Sequence, residues 1–168
     1  MSAWAALLRA VNVGGHNKVP MAELKALCEG LGFAQVQTYI ASGNVVFSND
    51  LGEAEIRARI ETALVAHYGK PLPVLVRSGA ELAALVKANP WPDRPGNRTV
   101  AIFVDGALSL DGITGHRGET IELGARAIYV DYPDGMVDSR LRIPAAKLGT
   151  ARNLNTVTKL AAMTAELA

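Results

Sequence analysis

The first half of the chain alternates between strand-like and helix-like spacing of its hydrophobic residues. An apolar run at Trp4–Val11 predicts a buried strand, and the glycines after it predict a loop. Apolar positions three and four residues apart predict a helix that begins after Pro20 and ends at Gly32. Four further elements follow: a strand at 35–40, its antiparallel partner from Val45, a helix at 56–67 and a strand at 73–77.

Residues 4–78 therefore follow the order β-α-β-β-α-β, which is the order of the split βαβ, or ferredoxin-like, unit. Ser78 and Glu81 then have the spacing of a capping box, so a short helix is expected to follow the fourth strand. The fold class predicted for the chain is α+β.

The second half is a weaker version of the same kind of unit. Three prolines and a glycine in residues 89–97 predict a linker. Strands are expected at Thr99–Val104, Thr120–Leu123 and Ala127–Tyr132, and a final helix is expected with Asn155 as its N-cap. The predicted organisation is a ferredoxin-like unit with a short helix at 1–88, the linker, and a degenerate second unit with a C-terminal helix at 98–168.

Composition excludes several classes of protein. Among 168 residues, 17 Lys and Arg oppose 16 Asp and Glu, so a net charge of +1 gives no overall attraction to nucleic acid or acidic membranes. The one cysteine, Cys28, forms no internal disulfide and lies on the apolar side of its helix, which predicts burial. With neither a signal-peptide pattern nor a long apolar stretch, a cytoplasmic protein without membrane contact is expected.

Strong catalytic motifs are missing from the sequence. It contains no Walker A loop, no GxGxxG, no HExxH and no GxSxG. The histidines His16, His67 and His116 lack the local spacing of a metal site, so neither a metal nor a cofactor is expected.

The loop from Asn12 to Lys18 is the most informative polar segment. Gly14 and Gly15 let the backbone turn and expose its N–H groups, and the loop leads into a helix N-terminus, which attracts anions. Lys18 and His16 add cationic or hydrogen-bond-donating side chains. The segment therefore predicts a site for a small anionic ligand.

A ferredoxin-like topology would bring this loop together with the Ser42-Gly43-Asn44 turn and residues 67–70 at one sheet edge, with no carboxylate among them. Such a site favours a phosphate or carboxylate ligand, although the same residues also suit tight turns and packing. The candidate ligand-binding residues are Asn12, Gly14, Gly15, His16, Lys18, Ser42 and Asn44, joined by Arg152 and Asn153 if the C-terminal cluster packs nearby.

Other functions remain open at this point. An enzyme would use His16 as general acid or base and Ser42 as donor or nucleophile at the same place. A nucleic-acid partner is not excluded, but aromatics make up only 5% of the chain and no strand matches an RNA-binding signature. A protein-interaction module and any oligomeric state are equally compatible with the sequence.

Three stretches also resemble a known bacterial family, the "domain of unknown function 1697". They are residues 6–21, 38–47 and 151–160. The chain departs from the family pattern at Ala10, where glycine is usual, and at Leu154, where tryptophan is usual. The resemblance implies a two-part α+β fold of ferredoxin-like units, and it implies no activity.

Overall fold

Helices and strands alternate in the first half of the chain, whereas strands dominate in the second half. The computed structural model describes residues 1–12 and 17–167. Its elements are β1 (Ser2–Leu8), α1 (Met21–Gly30), β2 (Ala34–Thr38), β3 (Asn44–Asn49), α2 (Glu53–Tyr68), β4 (Val74–Ser78), α3 (Gly79–Lys87), β5 (Thr99–Phe103), β6 (Thr120–Gly124), β7 (Ala127–Asp131), a 3-10 turn (Pro144–Ala146), β8 (Thr150–Asn153) and α4 (Leu154–Leu167).

The first sheet has the order β2-β3-β1-β4, and every neighbouring pair of strands is antiparallel. Strand residues alternate between the two sheet faces, so every second apolar side chain of β1, β3 and β4 points the same way. On one face they form a core with α1 and α2, whose buried members include Leu8, Phe47, Val76, Leu24, Cys28, Ile56, Ile60 and Leu64. Each fully buried aliphatic side chain contributes about 1.5–3 kcal/mol, so this core dominates the stability of the first half.

Cys28 belongs to this core, as predicted. It is 1% exposed, and burial raises the pKa of its thiol to about 12. The side chain therefore acts as a small hydrophobic group rather than as a nucleophile.

The second sheet repeats the strand order of the first. Its order is β6-β7-β5-β8, again antiparallel throughout, so β5 to β8 take the places of β1 to β4. The connections differ, because segments 104–119 and 132–149 stand where the first sheet has α1 and α2. These segments supply partly buried apolar residues to a core that includes Val100, Ile128, Val130, Leu108, Leu141 and Ile143.

A buried arginine occurs at the same place in both sheets. Arg77 in β4 lies opposite Ala5 of β1, and Arg152 in β8 lies opposite Ala101 of β5. Arg77 is fully buried and Arg152 is 6% exposed. The repeat, which is not visible in the sequence, therefore extends from strand order to individual residues.

Each of these strands leads directly into a capped helix. The predicted capping box is confirmed, because the Ser78 N–H donates to Glu81 Oε1 (3.0 Å) and the Glu81 N–H donates to Ser78 Oγ (3.1 Å). The prediction for the last helix is wrong by two residues: Asn153, not Asn155, accepts the Thr156 N–H on its Oδ1 at 2.9 Å. Strand β8, which was not predicted, ends at Asn153 and so places its side chain at the cap.

Two predicted strands end earlier than expected. The first stops at Leu8 instead of Val11, and the second stops at Thr38 instead of residue 40. The backbone φ angles of Ala10 and Ile40 are 55° and 49°. Except at a bulge, such as the one at Gln35 within β2, this left-handed conformation interrupts a strand, and the chain leaves the sheet before Ala10 and Ile40.

The described chain divides into two compact units. Met1–Leu82 and the described residues from Leu160 onward form one unit, and Ala83–Lys159 form the other. The end of α4 belongs to the first unit because Thr164 packs on Gly79, where an added Cβ would lie 2.9 Å from Thr164 Oγ1.

The cap of α4 is open to a direct test. We expect Asn153→Ala to lower the free energy of unfolding by about 1 kcal/mol, because it leaves the Thr156 N–H without its acceptor. Asn155→Ala is the matched control at an exposed position and should change stability by less than about 0.5 kcal/mol. Urea unfolding of both variants measures the difference, and equal losses would contradict the assigned cap.

Candidate functional site

The side chain of Asn12 joins two loops at the end of β1. Its Oδ1 accepts the Val19 N–H at 2.8 Å, and its Nδ2 donates to the carbonyl oxygens of Val19 (3.0 Å) and Ala41 (2.6 Å). Its backbone N–H donates to the Asn17 carbonyl at 3.1 Å. We call the region formed by residues 8–12, 17–20 and 39–44 the Asn12 end. Both hydrogens of the Asn12 amide are used within the protein, so Asn12 positions the loops instead of contacting a ligand.

The turn before β3 is held in a similar way. Asn44 is fully buried, and its Nδ2 donates to the Tyr39 carbonyl (2.9 Å) and to Ser42 Oγ (2.8 Å). The Tyr39 N–H returns a bond to the Asn44 carbonyl at 3.0 Å. Asn44 therefore fixes the turn, and Ser42 accepts one of its hydrogen bonds.

Gly43 brings this turn against the end of β1. Its carbonyl accepts the Leu8 N–H at 2.8 Å, and its φ of +87° is in the left-handed region. A Cβ added at Gly43 would lie 2.6 Å from Val11 Cγ2 and 2.9 Å from Leu8 Cβ. The expected approach of the Ser42-Gly43-Asn44 turn to the loop after β1 is confirmed, and glycine is required for it.

The Asn12 end concentrates unusual backbone conformations. Six non-glycine residues in the described chain have a positive φ, and four of them lie here: Ala10 (55°), Asn12 (56°), Asn17 (50°) and Ile40 (49°). Asparagine tolerates this conformation, but for the β-branched Ile40 it is a genuine outlier. Such residues persist only where the surrounding structure determines them, and they cluster at functional sites.

Two lysines are available near these loops. Lys18 is exposed between Asn17 and Val19, and Lys70 is exposed three residues before Pro73. The Pro73 carbonyl accepts the Arg9 N–H at 3.0 Å, which places the segment before β4 beside the end of β1. Within the described part of the chain, neither ammonium group makes an ion pair, so both are available to an anion from solution.

A carboxylate without a signal in the sequence pattern lies at the start of α1. Glu23 Oε1 is 3.0 Å from His67 Nε2 and accepts the Tyr68 hydroxyl at 2.9 Å. The hydrogen bond from His67 and then that from Tyr68 lower the pKa of Glu23, whereas burial and Glu23 raise the pKa of Tyr68 to about 12. The His67 ring therefore contacts the Glu23 carboxylate, and the Tyr68 hydroxyl donates a second hydrogen bond to the same oxygen.

The remaining predicted residues divide into two groups. Gly14, Gly15 and His16 lie outside the described residues. Arg152 and Asn153 lie in the other unit and have partners there. Arg152 Nη1 donates to Thr150 Oγ1 at 2.6 Å, burial lowers the pKa of its guanidinium to about 10, and Asn153 caps α4.

Across residues 1–12 and 17–167, no three His, Cys, Asp or Glu side chains come together in a way that would hold a metal ion. Within the same ranges, no helix has both the length and the apolarity that a membrane crossing requires.

The strain at Ala10 gives a testable consequence. We expect Ala10→Gly to raise the free energy of unfolding by about 1 kcal/mol, because glycine adopts a φ of 55° without steric cost. Ala41→Gly, at an exposed position of the neighbouring turn, is the control and should not stabilise the protein. Urea unfolding measures the free energy of unfolding of both variants. If Ala10→Gly loses as much stability as Ala41→Gly, the backbone at Ala10 is not strained.

Comparison with known proteins agrees with this architecture. A solved structure described as a conserved bacterial protein from Streptococcus pneumoniae is 27% identical, with a TM-score of 0.79, and the match covers 97% of this chain and 98% of that one. No curated protein matches the chain. The sequence model of a family described as a protein of unknown function, DUF1697, matches residues 1–129, which include the whole Asn12 end. The chain therefore belongs to the DUF1697 family.

Proposed function

We propose that the Asn12 end binds a small anionic ligand through a phosphate or carboxylate group. The observation that carries the proposal is the concentration of four left-handed non-glycine residues in two loops joined by one asparagine side chain. Maintaining such backbone costs about 1–2 kcal/mol at each residue other than Asn or Gly, and a purely structural loop avoids that cost by using glycine. Strain of this kind clusters at binding and catalytic sites, which supports a binding role for these loops.

The charges near the Asn12 end support an anion over a cation. Lys18 and Lys70 are exposed and unpaired with other described residues. The carboxylate of Glu23 contributes one negative charge against these two positive ones, because the hydrogen bonds from His67 and Tyr68 favour its ionised form. The balance of available charge is therefore positive.

The proposal divides the predicted residues by role. Asn12 and Asn44 position the two loops, and Ser42 belongs to the second of them. Lys18 is the group proposed to neutralise the ligand. Gly14, Gly15 and His16 keep the role that the sequence assigns to them, namely backbone N–H donors and a side-chain donor for the anion.

We further propose that both units are ferredoxin-like. The orders β2-β3-β1-β4 and β6-β7-β5-β8 support this, because each places the third strand of its unit between the first and the second. In the second unit the two crossover connections lack α-helices. On this proposal the chain is a duplicated unit whose second copy has lost its crossover helices.

Lys18 is the residue on which binding should depend. We expect inorganic phosphate, sugar phosphates or nucleotides at low salt to raise the melting temperature, since a ligand that binds only the folded state stabilises it. Lys18→Ala should weaken the binding of any such ligand by about tenfold or more, the usual range for losing one charge-assisted hydrogen bond. The melting temperature without ligand should not fall, because Lys18 is exposed.

Lys25→Ala is the matched control. Lys25 is an exposed lysine of α1, so its removal changes the net charge equally without altering the loop. Isothermal titration calorimetry with the anion that gives the largest thermal shift measures the affinity of each variant. Equal affinities for Lys18→Ala and Lys25→Ala would contradict the proposal.

A further inference from the structure

The second unit contains a cavity between the two segments that replace the helices of the first unit. Its volume is about 1040 Å³, and its lining comes from residues 115–119 and 132–140. Backbone hydrogen bonds between Thr114 and Arg142, 3.1 and 2.8 Å long, join the two segments beside it. A Cβ on Gly115 would come within 1.9 Å of the Arg140 carbonyl oxygen, so the walls meet there as closely as a glycine allows.

Glu119 places a buried carboxylate in the lining of this cavity. Glu119 is 8% exposed. Its Oε1 accepts the Arg117 N–H at 2.6 Å, and its Oε2 accepts the Ser139 hydroxyl at 2.8 Å. These two bonds, the first in particular, lower the pKa of Glu119. The carboxylate is therefore ionised at neutral pH, and through Ser139 it also connects the two walls.

Exposed charged side chains of both signs line the same cavity as this carboxylate. Arg117, Arg140, Asp134 and Asp138 all line the cavity. Within the described residues, none of these four side chains makes a hydrogen bond or an ion pair.

We propose that the cavity binds a zwitterion that carries both an ammonium and a carboxylate group, of the size of an amino acid or a dipeptide. The two guanidinium groups suit a carboxylate, which arginine binds through two parallel hydrogen bonds. Glu119, Asp134 and Asp138 suit an ammonium group. A simple anion would meet three carboxylates and a simple cation two arginines, so a ligand with both charges has the better complementarity.

The volume and the lining agree with such a ligand. About 1040 Å³ is slightly above the usual range of small-molecule sites, so a dipeptide fits and fills only part of the space. Tyr132 and Pro133 add an apolar portion to the wall against which an aliphatic side chain can pack. The inference is independent of the anion site, because every residue it uses lies in the other unit.

Calorimetric titration of the full chain with alanylalanine tests the proposal. The free dipeptide is expected to bind, and its N-acetylated and C-amidated forms, which each lack one charge, should bind at least about tenfold more weakly. No heat with the free dipeptide or with alanine, or equal binding of the blocked forms, would overturn the zwitterion assignment.

Variants locate the binding and separate it from the Asn12 end. Arg140→Gln and Asp138→Asn should each weaken dipeptide binding by about tenfold, the usual effect of one lost ionic hydrogen bond. Asp111→Asn, an exposed carboxylate outside the lining, and Lys18→Ala should leave it unchanged. Circular dichroism verifies that each variant is folded. Full affinity in both cavity variants, or loss of affinity in Lys18→Ala, would contradict the site.

Discussion

The hydrogen bonds of the Asn12 side chain are the interaction on which the proposed anion site depends. One amide binds both backbone groups of Val19 and the carbonyl of Ala41, and so joins the loop after β1 to the turn before β3. Left-handed backbone at Ala10 and Ile40 costs about 1–2 kcal/mol for each residue, and three hydrogen bonds contribute about 0.5–1.5 kcal/mol each. The two sums are similar, so the bonds of Asn12 are large enough to maintain the strained loops.

The two sheets show how one strand order supports two different surfaces. Around the first sheet, α1 and α2 form an apolar core, and polar groups collect in the loops at the end of β1. Around the second, irregular segments cover the corresponding face and enclose a cavity lined by charges. The buried arginines at equivalent positions, Arg77 and Arg152, belong to what the two sheets share. The proposed sites belong to the connections, where the two halves differ.

Local patterns predicted local structure well, and long-range contacts set the limits of prediction. The capping box of Ser78 and Glu81 follows from the spacing of residues at the start of α3. The burial of Cys28 follows from the spacing of apolar residues within α1. The roles of Asn12 and Asn44 cannot be predicted from local spacing, because an amide that both donates and accepts suits a ligand and a backbone group equally well. The contact of Glu23 with His67, 44 residues apart, has no local signal. Strand β8 has only four residues, three of them polar, which is too short a pattern to indicate a strand.

A titration of isotope-labelled protein with inorganic phosphate, followed by heteronuclear NMR, tests the anion site most directly. If the strained loops form the site, the backbone amide signals of Ala10, Asn12, Lys18 and Ile40 should shift together and saturate at one ligand concentration. The signal of Tyr129, which is buried in the second sheet, should stay unchanged. Saturable shifts confined to other parts of the chain, or no shifts at all, would contradict the assignment of the Asn12 end as an anion-binding site.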